Sequence, residues 1–234
     1  QEIITGGDYL TLWAAAMLQF PYEPLPYIFF YGPQNSGKST FHEALSILFL
    51  NKVGYTKADV ALTNSQRFNA ELCNAVLCVV EEINLQNSKD SYNRMKDWVT
   101  SKMMLIHEKG LTPYEVPNTT HWVQCANEID ACPVFTGDTR VVVCKVSTLQ
   151  TSVPKYSLFK NLEIEAQAFL THLMKVEIPA PVDRLRIPVI GTAEKWELED
   201  LNEDAVIQWC REHLKPIQGA STALQQLFTA FYSE

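Results

Sequence analysis

A glycine-rich segment directly follows a short apolar run near the N-terminus, and it constrains the fold more than any other part of the chain. Residues Gly32 to Ser39 match the pattern G-x-x-x-x-G-K-[ST], whose backbone N–H groups surround phosphates. The preceding run, Tyr27 to Tyr31, is aromatic and apolar enough for a buried strand, and Phe41 to Leu50 has apolar residues at helical spacing. Strand, loop and helix in this order predict an α/β protein that binds a nucleoside triphosphate.

The residue types in this loop predict separate roles. We expect the Lys38 ammonium to reach the outer phosphate oxygens and the Ser39 hydroxyl to ligate magnesium. The predicted nucleotide-binding residues are Gly32, Pro33, Gln34, Asn35, Ser36, Gly37, Lys38, Ser39 and Thr40.

Length and composition fit one main globular domain. The chain has 234 residues, of which 47% are hydrophobic, and this is enough for a full core. No stretch approaches the roughly 18 apolar residues of a membrane span, and the N-terminus lacks the layout of a signal peptide, so we expect no membrane contact and a cytoplasmic location. The six cysteines form no C-x-x-C pair and are expected to be reduced, and the five histidines show no metal-ligand spacing.

The net charge of −8 argues against a broad basic surface of the kind that binds nucleic acid. Nucleic acid would have to be held by a few local cations, such as those lining a channel formed by several copies of the chain.

Apolar patterning predicts a mostly parallel central sheet with flanking helices, because its longer strand runs are apolar throughout. Asp8 is expected to cap the first helix, and Ile164, Ala168, Phe169 and Leu173 are expected to form the buried face of the long helix.

We expect a main domain over 1–178, a connector over 179–200 and a helical segment over 201–234. The predicted helices are 9–20, 41–50, 66–72, 91–101, 163–174, 203–214 and 222–232, and the predicted strands are 27–31, 60–62, 75–80, 120–126 and 140–146.

A hairpin is predicted between the second core helix and the third core strand. Residues 103–107 and 111–116 flank Glu108-Lys109-Gly110, where the glycine permits a tight reversal. A lysine at such a tip is ordinarily solvated, so Lys109 alone does not indicate a ligand.

Polar residues at strand ends predict chemistry on the nucleotide. Glu81 and Glu82 end an apolar strand, so one carboxylate, Glu81, would hold magnesium through water while Glu82 polarises the attacking water. Asn127 closes the next core strand, where its amide would orient that water or contact the terminal phosphate. Arg140, at the start of the last strand, would reach the terminal phosphate of a neighbouring subunit. Each residue also has a plainer interpretation, as a solvent-facing strand end, a loop amide or a surface ion pair.

Taken together, these motifs resemble those of superfamily 3 helicases over about residues 8 to 178. The likeness is greatest to the helicase part of primase-helicases of phages, large DNA viruses and mobile elements. The residues that carry it are Gly32 to Ser39, Arg67-Phe68 with Ala70 and Leu72, the acidic strand Val76 to Glu82, Gln124-Cys125-Ala126-Asn127 and Asp138-Thr139-Arg140.

The resemblance implies an AAA+-type core that assembles as a ring, usually a hexamer, hydrolyses ATP with Mg²⁺ between subunits and pulls single-stranded DNA through its centre. It implies that the predicted hairpin lines the pore, with Lys109 at its tip and Lys102 at its base. The last helices resemble the start of a winged-helix region. The chain lacks a primase region, so we expect it to be a piece of a longer replication protein whose primase or polymerase part, or other replication proteins, are its partners.

The chain departs from the family at two places. Thr100-Ser101-Lys102-Met103 stands where the family often has a Ser-Gly-Gly-Asp-like segment, and Arg140 has no arginine neighbour. Two other functions share the phosphate loop. An ATPase switch or protein remodeller would share everything up to Arg140, whereas a small-molecule kinase would need an arginine-rich lid that this sequence does not offer.

Overall fold

The computed structural model describes residues 6–85, 89–151, 153–203, 205–215, 217, 219 and 221–232. Five strands form one parallel sheet in the order β2-β3-β6-β1-β7, and two further strands, β4 and β5, form a separate antiparallel hairpin. The strands are β1 (Tyr27–Tyr31), β2 (Tyr55–Lys57), β3 (Leu77–Glu81), β4 (Met103–Ile106), β5 (Tyr114–Pro117), β6 (His121–Ala126) and β7 (Val141–Lys145). The predicted α/β fold with a parallel sheet is confirmed.

Eight α-helices accompany the strands within the described ranges. They are α1 (Gly6–Gln19), α2 (Lys38–Ser46), α3 (Asp59–Thr63), α4 (Lys89–Thr100), α5 (Lys155–Leu173), α6 (Ala193–Leu201), α7 (Ala205–His213) and α8 (Leu224–Phe231). The glycine-rich loop predicted to bind phosphate, residues 32–37, is called the phosphate loop below and joins β1 to α2, so the predicted strand, loop and helix are all present. The helix begins at Lys38, three residues earlier than its apolar spacing predicts.

The sheet register brings the ends of three strands together. Tyr31 pairs with Ala126 and Glu81 pairs with Cys125, so β1, β3 and β6 end at one level. Gly32, Glu82 and Asn127 are the next residues along the chain. Because the carboxyl ends of parallel strands share one edge, these three residues meet there, where open α/β sheets bind ligands.

Apolar side chains cover both faces of the sheet. On one face Tyr27, Phe29 and Trp122 pack with residues of α3 and α4, and on the other Ile28 and Val123 pack with residues of α1 and α5. All four strands of the sheet other than β2 are therefore buried on both sides, which is why their sequences are almost uniformly apolar.

The interval between α2 and β3 differs from the predictions. Residues 60–62 were expected to be a strand but belong to α3, and only Ala70–Leu72, a single 3₁₀ turn, is helical within the helix predicted over 66–72. The acidic Asp59 in the first turn favours a helix start at this point. The strand that the sequence does not reveal is β2, a short polar edge strand paired with β3.

Two predictions about the helices were also wrong, the cap at Asp8 and the buried face of the long helix. Asp8 lies in the first turn of α1, which begins at Gly6. In α5, Ile164 and Phe169 are 72% and 40% exposed, and of the predicted buried face only Leu173 is buried. The Gln19 amide donates to the Leu173 carbonyl (2.8 Å), so α1 meets the C-terminal end of α5 and leaves the middle of that helix in solvent.

The predicted connector contains α6, which packs against the sheet. The Thr192 hydroxyl donates to the Val143 carbonyl (3.0 Å), and Leu198 is fully buried in the core. Beyond α6, α7 and α8 bury none of their described side chains. All six cysteines, each within the described residues, are free thiols. Among the described helices, none has both the length and the hydropathy needed to cross a bilayer.

Candidate functional site

The loop between β1 and α2 is held tightly against the neighbouring strand. Gly32 has φ +146°, and a Cβ atom there would lie 2.1 Å from the Val146 carbonyl oxygen. Gly37 is left-handed (φ +89°) and precedes the first residue of α2, and Asn35 also has positive φ (59°). The helix therefore starts at the loop, with its N-terminal partial positive charge directed toward it.

Lys38 connects this loop to the end of β6. Its ammonium donates to the carbonyls of Gly32 and Pro33 (2.7 Å each) and to the Asn127 side-chain oxygen (3.1 Å). Partial burial lowers the pKa of Lys38 from its usual value. Two residues predicted from separate motifs, Lys38 and Asn127, are thus in direct contact.

Ser36 is a buried polar residue of the same loop. Its side chain is 3% exposed, and the hydroxyl oxygen has no hydrogen-bond partner in the described part of the chain. Leaving a buried hydroxyl unpaired costs about 1–3 kcal/mol, so a group that accepts or donates a hydrogen bond at this position would stabilise the loop.

Glu81 lies at the centre of a polar network at the end of β3. Its carboxylate accepts a hydrogen bond from Ser39 and a short one from Lys57, and it lies 3.3 Å from His42 Nε2. The backbone N–H of Glu81 donates to the Asp59 carboxylate (2.9 Å). Side chain and main chain of Glu81 are therefore both fixed.

The charges in this network favour an ionised Glu81. Burial raises the pKa of Glu81, but hydrogen bonds from Lys57 and Ser39 and the positive charge of Lys57 outweigh it, so the pKa lies below its usual value. Burial also lowers the pKa of His42 despite the adjacent carboxylate. His42 is consequently neutral near pH 7, and Lys57 is the cation that pairs with Glu81.

Glu82 has a left-handed backbone, with φ +58°, which is uncommon for a residue with a side chain. Its N–H donates to the Cys125 carbonyl (3.1 Å), and its exposed side chain lines the same cleft as Lys38 and Asn127. The turn directs the two neighbouring carboxylates differently, since Glu81 is enclosed in the network and Glu82 faces the open cleft.

The cleft has a volume of about 760 Å³, within the range of small-molecule sites. One wall comes from a segment to which the sequence assigns no function, and Leu149 of this segment would contact a side chain at Gly37. The Lys155 ammonium pairs with the Glu43 carboxylate (2.8 Å) across the cleft. The lining residues from this segment are Leu149, Thr151, Val153, Lys155 and Leu158.

Arg140 lies outside this cleft. It precedes β7, its carbonyl accepts from the Tyr27 N–H at the start of β1 (2.8 Å), and it pairs with Asp138 (3.2 Å). The cleft begins after Tyr31 at the other end of that strand, so Arg140 and the phosphate loop lie at opposite edges of the sheet. The Arg140 Nε is buried and has no hydrogen-bond partner among the described residues.

The predicted hairpin is present, with a longer connection than predicted. β4 and β5 pair from Met103 with Pro117 to Ile106 with Tyr114, which leaves residues 107–113 as the loop. Lys109 and Lys102 are exposed at the tip and the base. Glu108 accepts a hydrogen bond from the Tyr114 hydroxyl (2.5 Å).

Comparison with known proteins supports the fold. A family model described as "Family of unknown function (DUF5906)" matches residues 30–140, a little under half of the chain. No curated protein shows significant similarity. The apo structure of the NrS-1 C-terminal region (305-718) is 21% identical with a TM-score of 0.73, and the match covers 88% of this chain and 50% of that one.

A second NrS-1 C-terminal region structure, the A form, is 18% identical with a TM-score of 0.69, and the match covers 97% of this chain and 58% of that one. A structure of JCV helicase is 15% identical with a TM-score of 0.44, too low to indicate a shared fold. The chain thus spans about half the length of the NrS-1 structures it matches. At these identities, the likeness to the NrS-1 region establishes a common α/β fold.

Proposed function

We propose that this chain binds ATP with Mg²⁺ in the cleft at the carboxyl edge of the sheet and hydrolyses it. The observation that carries the proposal is the convergence of Lys38, Ser39, Glu81 and Asn127. The Lys38 ammonium contacts Asn127 (3.1 Å), and the Ser39 hydroxyl contacts Glu81. Residues at or after three separate strand ends thereby surround one space, and hydrolysis of a phosphoanhydride depends on such positioning of polar groups.

The donor atoms in the cleft suit each part of the ligand. The loop N–H groups and the buried Ser36 hydroxyl would receive phosphate oxygens, and Lys38 would exchange its two loop carbonyls for them. Glu82 would polarise the attacking water, and Asn127 would orient it. Apolar Leu149 and Leu158 supply a wall against which a base could pack.

The residues present also fit magnesium. Ser39 and Glu81 are oxygen donors in contact with each other, and Mg²⁺ is commonly held by one or two such groups together with phosphates and water. The ion would neutralise charge on the phosphates. Ser39 would hold it directly, and Glu81 would do so through water.

We further propose that the ATPase acts as a ring-shaped helicase or translocase on single-stranded DNA in replication. This rests on the resemblance to superfamily 3 helicases and on the exposed Lys109 and Lys102 of the hairpin. Other copies of the chain, usually six, would complete the ring. The primase or polymerase part of the same polypeptide, or other replication proteins, would supply the remaining partners.

A second candidate, an ATPase that remodels proteins, is favoured by the character of the hairpin. The positive charges of its two lysines are balanced in number by the negative charges of Glu108 and Glu115. The outer side chains of β4, Met103 and Leu105, are 45% and 56% exposed. A charge-balanced, apolar surface is better suited to a polypeptide than to a phosphate backbone.

The test is ATPase activity of the wild type and of Lys38→Ala, with and without single-stranded DNA, with mass determined at several protein concentrations in the presence of nucleotide. We expect turnover in the wild type, none in Lys38→Ala, and stimulation by DNA. Lys175→Ala, which removes an exposed lysine after α5, is the matched control and should behave as wild type. Wild-type turnover in Lys38→Ala would refute the assignment, and turnover without DNA stimulation would favour the remodeller.

A further inference from the structure

Gln124 is a fully buried amide in the middle of the sheet, on β6, with 0% exposure. Its side-chain oxygen accepts from the Tyr27 hydroxyl (3.1 Å), and its amide nitrogen donates to the carbonyls of Ile83 (2.9 Å) and Ala131 (3.1 Å). Both N–H donors of the amide are therefore in use. An apolar side chain would fill this position without the desolvation cost of an amide.

The two carbonyls belong to the two loops that form the proposed hydrolytic site. Ile83 directly follows Glu82, and Ala131 ends the 3₁₀ turn Ile129–Ala131 that comes shortly after Asn127. One side chain thus spans the loop that carries Glu82 and the loop that carries Asn127, and it fixes the distance between them.

This link bears on the unusual backbone of Glu82. Left-handed conformations of residues other than glycine persist only where the surrounding structure enforces them, and they concentrate at functional sites. The Glu82 N–H is bound to the Cys125 carbonyl (3.1 Å), and the carbonyl of the following residue is bound to Gln124. Glu82 therefore lies between two anchored peptide groups, and both anchors come from adjacent residues of β6.

We infer that Gln124 is a positioning residue, which holds the turn at Glu82 in its left-handed conformation and in register with Asn127. This inference rests on the proposed hydrolysis of ATP for its catalytic consequence. Its structural part, the anchoring of the turn, is independent of that function. Gln124 itself touches neither the cleft nor a reacting group.

The test compares Gln124→Met, which keeps the volume and removes the hydrogen bonds, with Tyr27→Phe, which removes only the hydroxyl bound to the amide oxygen. In Gln124→Met we expect kcat to fall by about 10²-fold, the size of effect that a misplacement of about 1 Å can have, with KM unchanged within about twofold. We also expect the amide of Glu82 to lose its protection from hydrogen exchange. Tyr27→Phe should keep kcat and the protection of the Glu82 amide within about twofold of the wild type, because the contacts of Gln124 with both carbonyls remain.

Met17→Ala, in buried α1 away from both loops, controls for loss of stability alone and should leave the exchange of Glu82 unchanged. If Gln124→Met does not fold, Gln124→Asn keeps the amide but is too short to reach both carbonyls, and it should show the same two changes. Wild-type kcat and protection in the folded variant would overturn the inference. If the wild type hydrolyses no ATP, the proposed function fails, and the protection of Glu82 alone decides whether Gln124 anchors the turn.

Discussion

At the residue scale, Gly32 shows how closely the phosphate loop approaches the neighbouring strand. A Cβ atom there would lie 2.1 Å from the Val146 carbonyl oxygen, and that oxygen belongs to main chain that cannot rotate away. We expect Gly32→Ala to lower the free energy of unfolding by about 3 kcal/mol or more and to abolish nucleotide binding. Denaturant unfolding and equilibrium binding of ATP measure the two effects.

Gly110→Ala is the matched control for this prediction. Gly110 also has positive φ (83°), but a Cβ atom there would meet nothing within 4 Å. This variant carries the left-handed backbone cost of about 1–2 kcal/mol without the clash, so nucleotide binding should be retained. Equal losses of stability in the two variants would show that the approach to Val146 is unimportant.

The loop and the strand-end acids can be predicted from the sequence because each lies beside a strongly apolar run. His42 and Lys57, which both contact Glu81, are not predicted. His42 lies three residues after Ser39, so the two share one face of α2. The sequence does not reveal this because its apolar spacing predicts that the helix begins only at Phe41, beyond Ser39. Lys57 gives no such signal, since it belongs to a short polar strand.

At the element scale, the hairpin is fastened to the core by two asparagines. The Asn69 side chain donates to the Leu105 carbonyl (3.0 Å) and accepts from the His107 N–H (2.7 Å), and thus continues the pairing of β4. The Asn118 side chain donates to the carbonyls of Trp98 and Ser101 at the end of α4. Hydrogen bonds therefore hold the hairpin base to the core, and loop 107–113 extends from it.

Lys109, in the exposed loop of the hairpin, is expected to contact the phosphates of single-stranded DNA. In Lys109→Ala the slope of log K against log salt should shrink by about 0.7, the value for one phosphate contact on a single strand, while basal ATPase is unchanged. Fluorescence anisotropy over a range of salt concentrations measures this slope. Lys175→Ala, which removes an exposed lysine after α5, should leave the slope as it is. A wild-type slope in Lys109→Ala would contradict DNA contact by the hairpin.

The elements that the sequence predicts best are the four buried strands, because a parallel strand covered on both faces must be apolar throughout. It predicts α5 poorly. Ile164 and Phe169 are spaced as a buried face, yet only the end of this helix reaches α1, as the contact of Gln19 with Leu173 shows. Periodicity indicates which residues share a helix face, whereas burial depends on which neighbour covers that face.

At the scale of the whole molecule, a buried histidine joins the sheet to the N-terminal part of the chain. His121 begins β6, packs edge-on against Trp13 of α1 (6.3 Å between ring centroids) and lies near the carbonyls of Val76 (3.1 Å) and Glu23 (3.3 Å). Burial lowers the pKa of His121 to about 4, although these carbonyls raise it. The ring is therefore neutral in the folded protein over the range in which it becomes protonated in the unfolded chain.

The sign of the pH dependence follows from that difference. The folded pKa of His121 is below the unfolded value of about 6.5. The contribution of the neutral ring to the free energy of unfolding is therefore complete above pH 6.5 and is lost as the pH falls toward 4. Between pH 7 and pH 5, His121 should account for about 2 kcal/mol of lost unfolding free energy. Urea unfolding at both pH values measures this, and His121→Gln should show a smaller loss. His172→Gln, an exposed site on α5, should keep the wild-type dependence.

The position of Arg140 makes a prediction about assembly. Tyr27 pairs with Val141 and Tyr31 pairs with Lys145, so Arg140 and the phosphate loop are separated by the length of β1, about 13 Å along the sheet. An arginine that acts on the terminal phosphate from that edge would have to serve the cleft of a neighbouring copy. We therefore expect Arg140→Ala to bind ATP normally and to hydrolyse it about 10³-fold more slowly.

Mixing two inactive variants tests whether Arg140 acts between copies. Lys38→Ala subunits keep Arg140 but lack the lysine of the phosphate loop, and Arg140→Ala subunits keep that lysine but lack the arginine. If Arg140 serves the neighbouring cleft, their mixture should regain ATPase, because an intact loop then faces an intact arginine. Arg184→Ala, which removes an exposed arginine that donates to Thr139 (3.0 Å), is the control and should stay active by itself. A mixture as inactive as its components would contradict an action of Arg140 between copies.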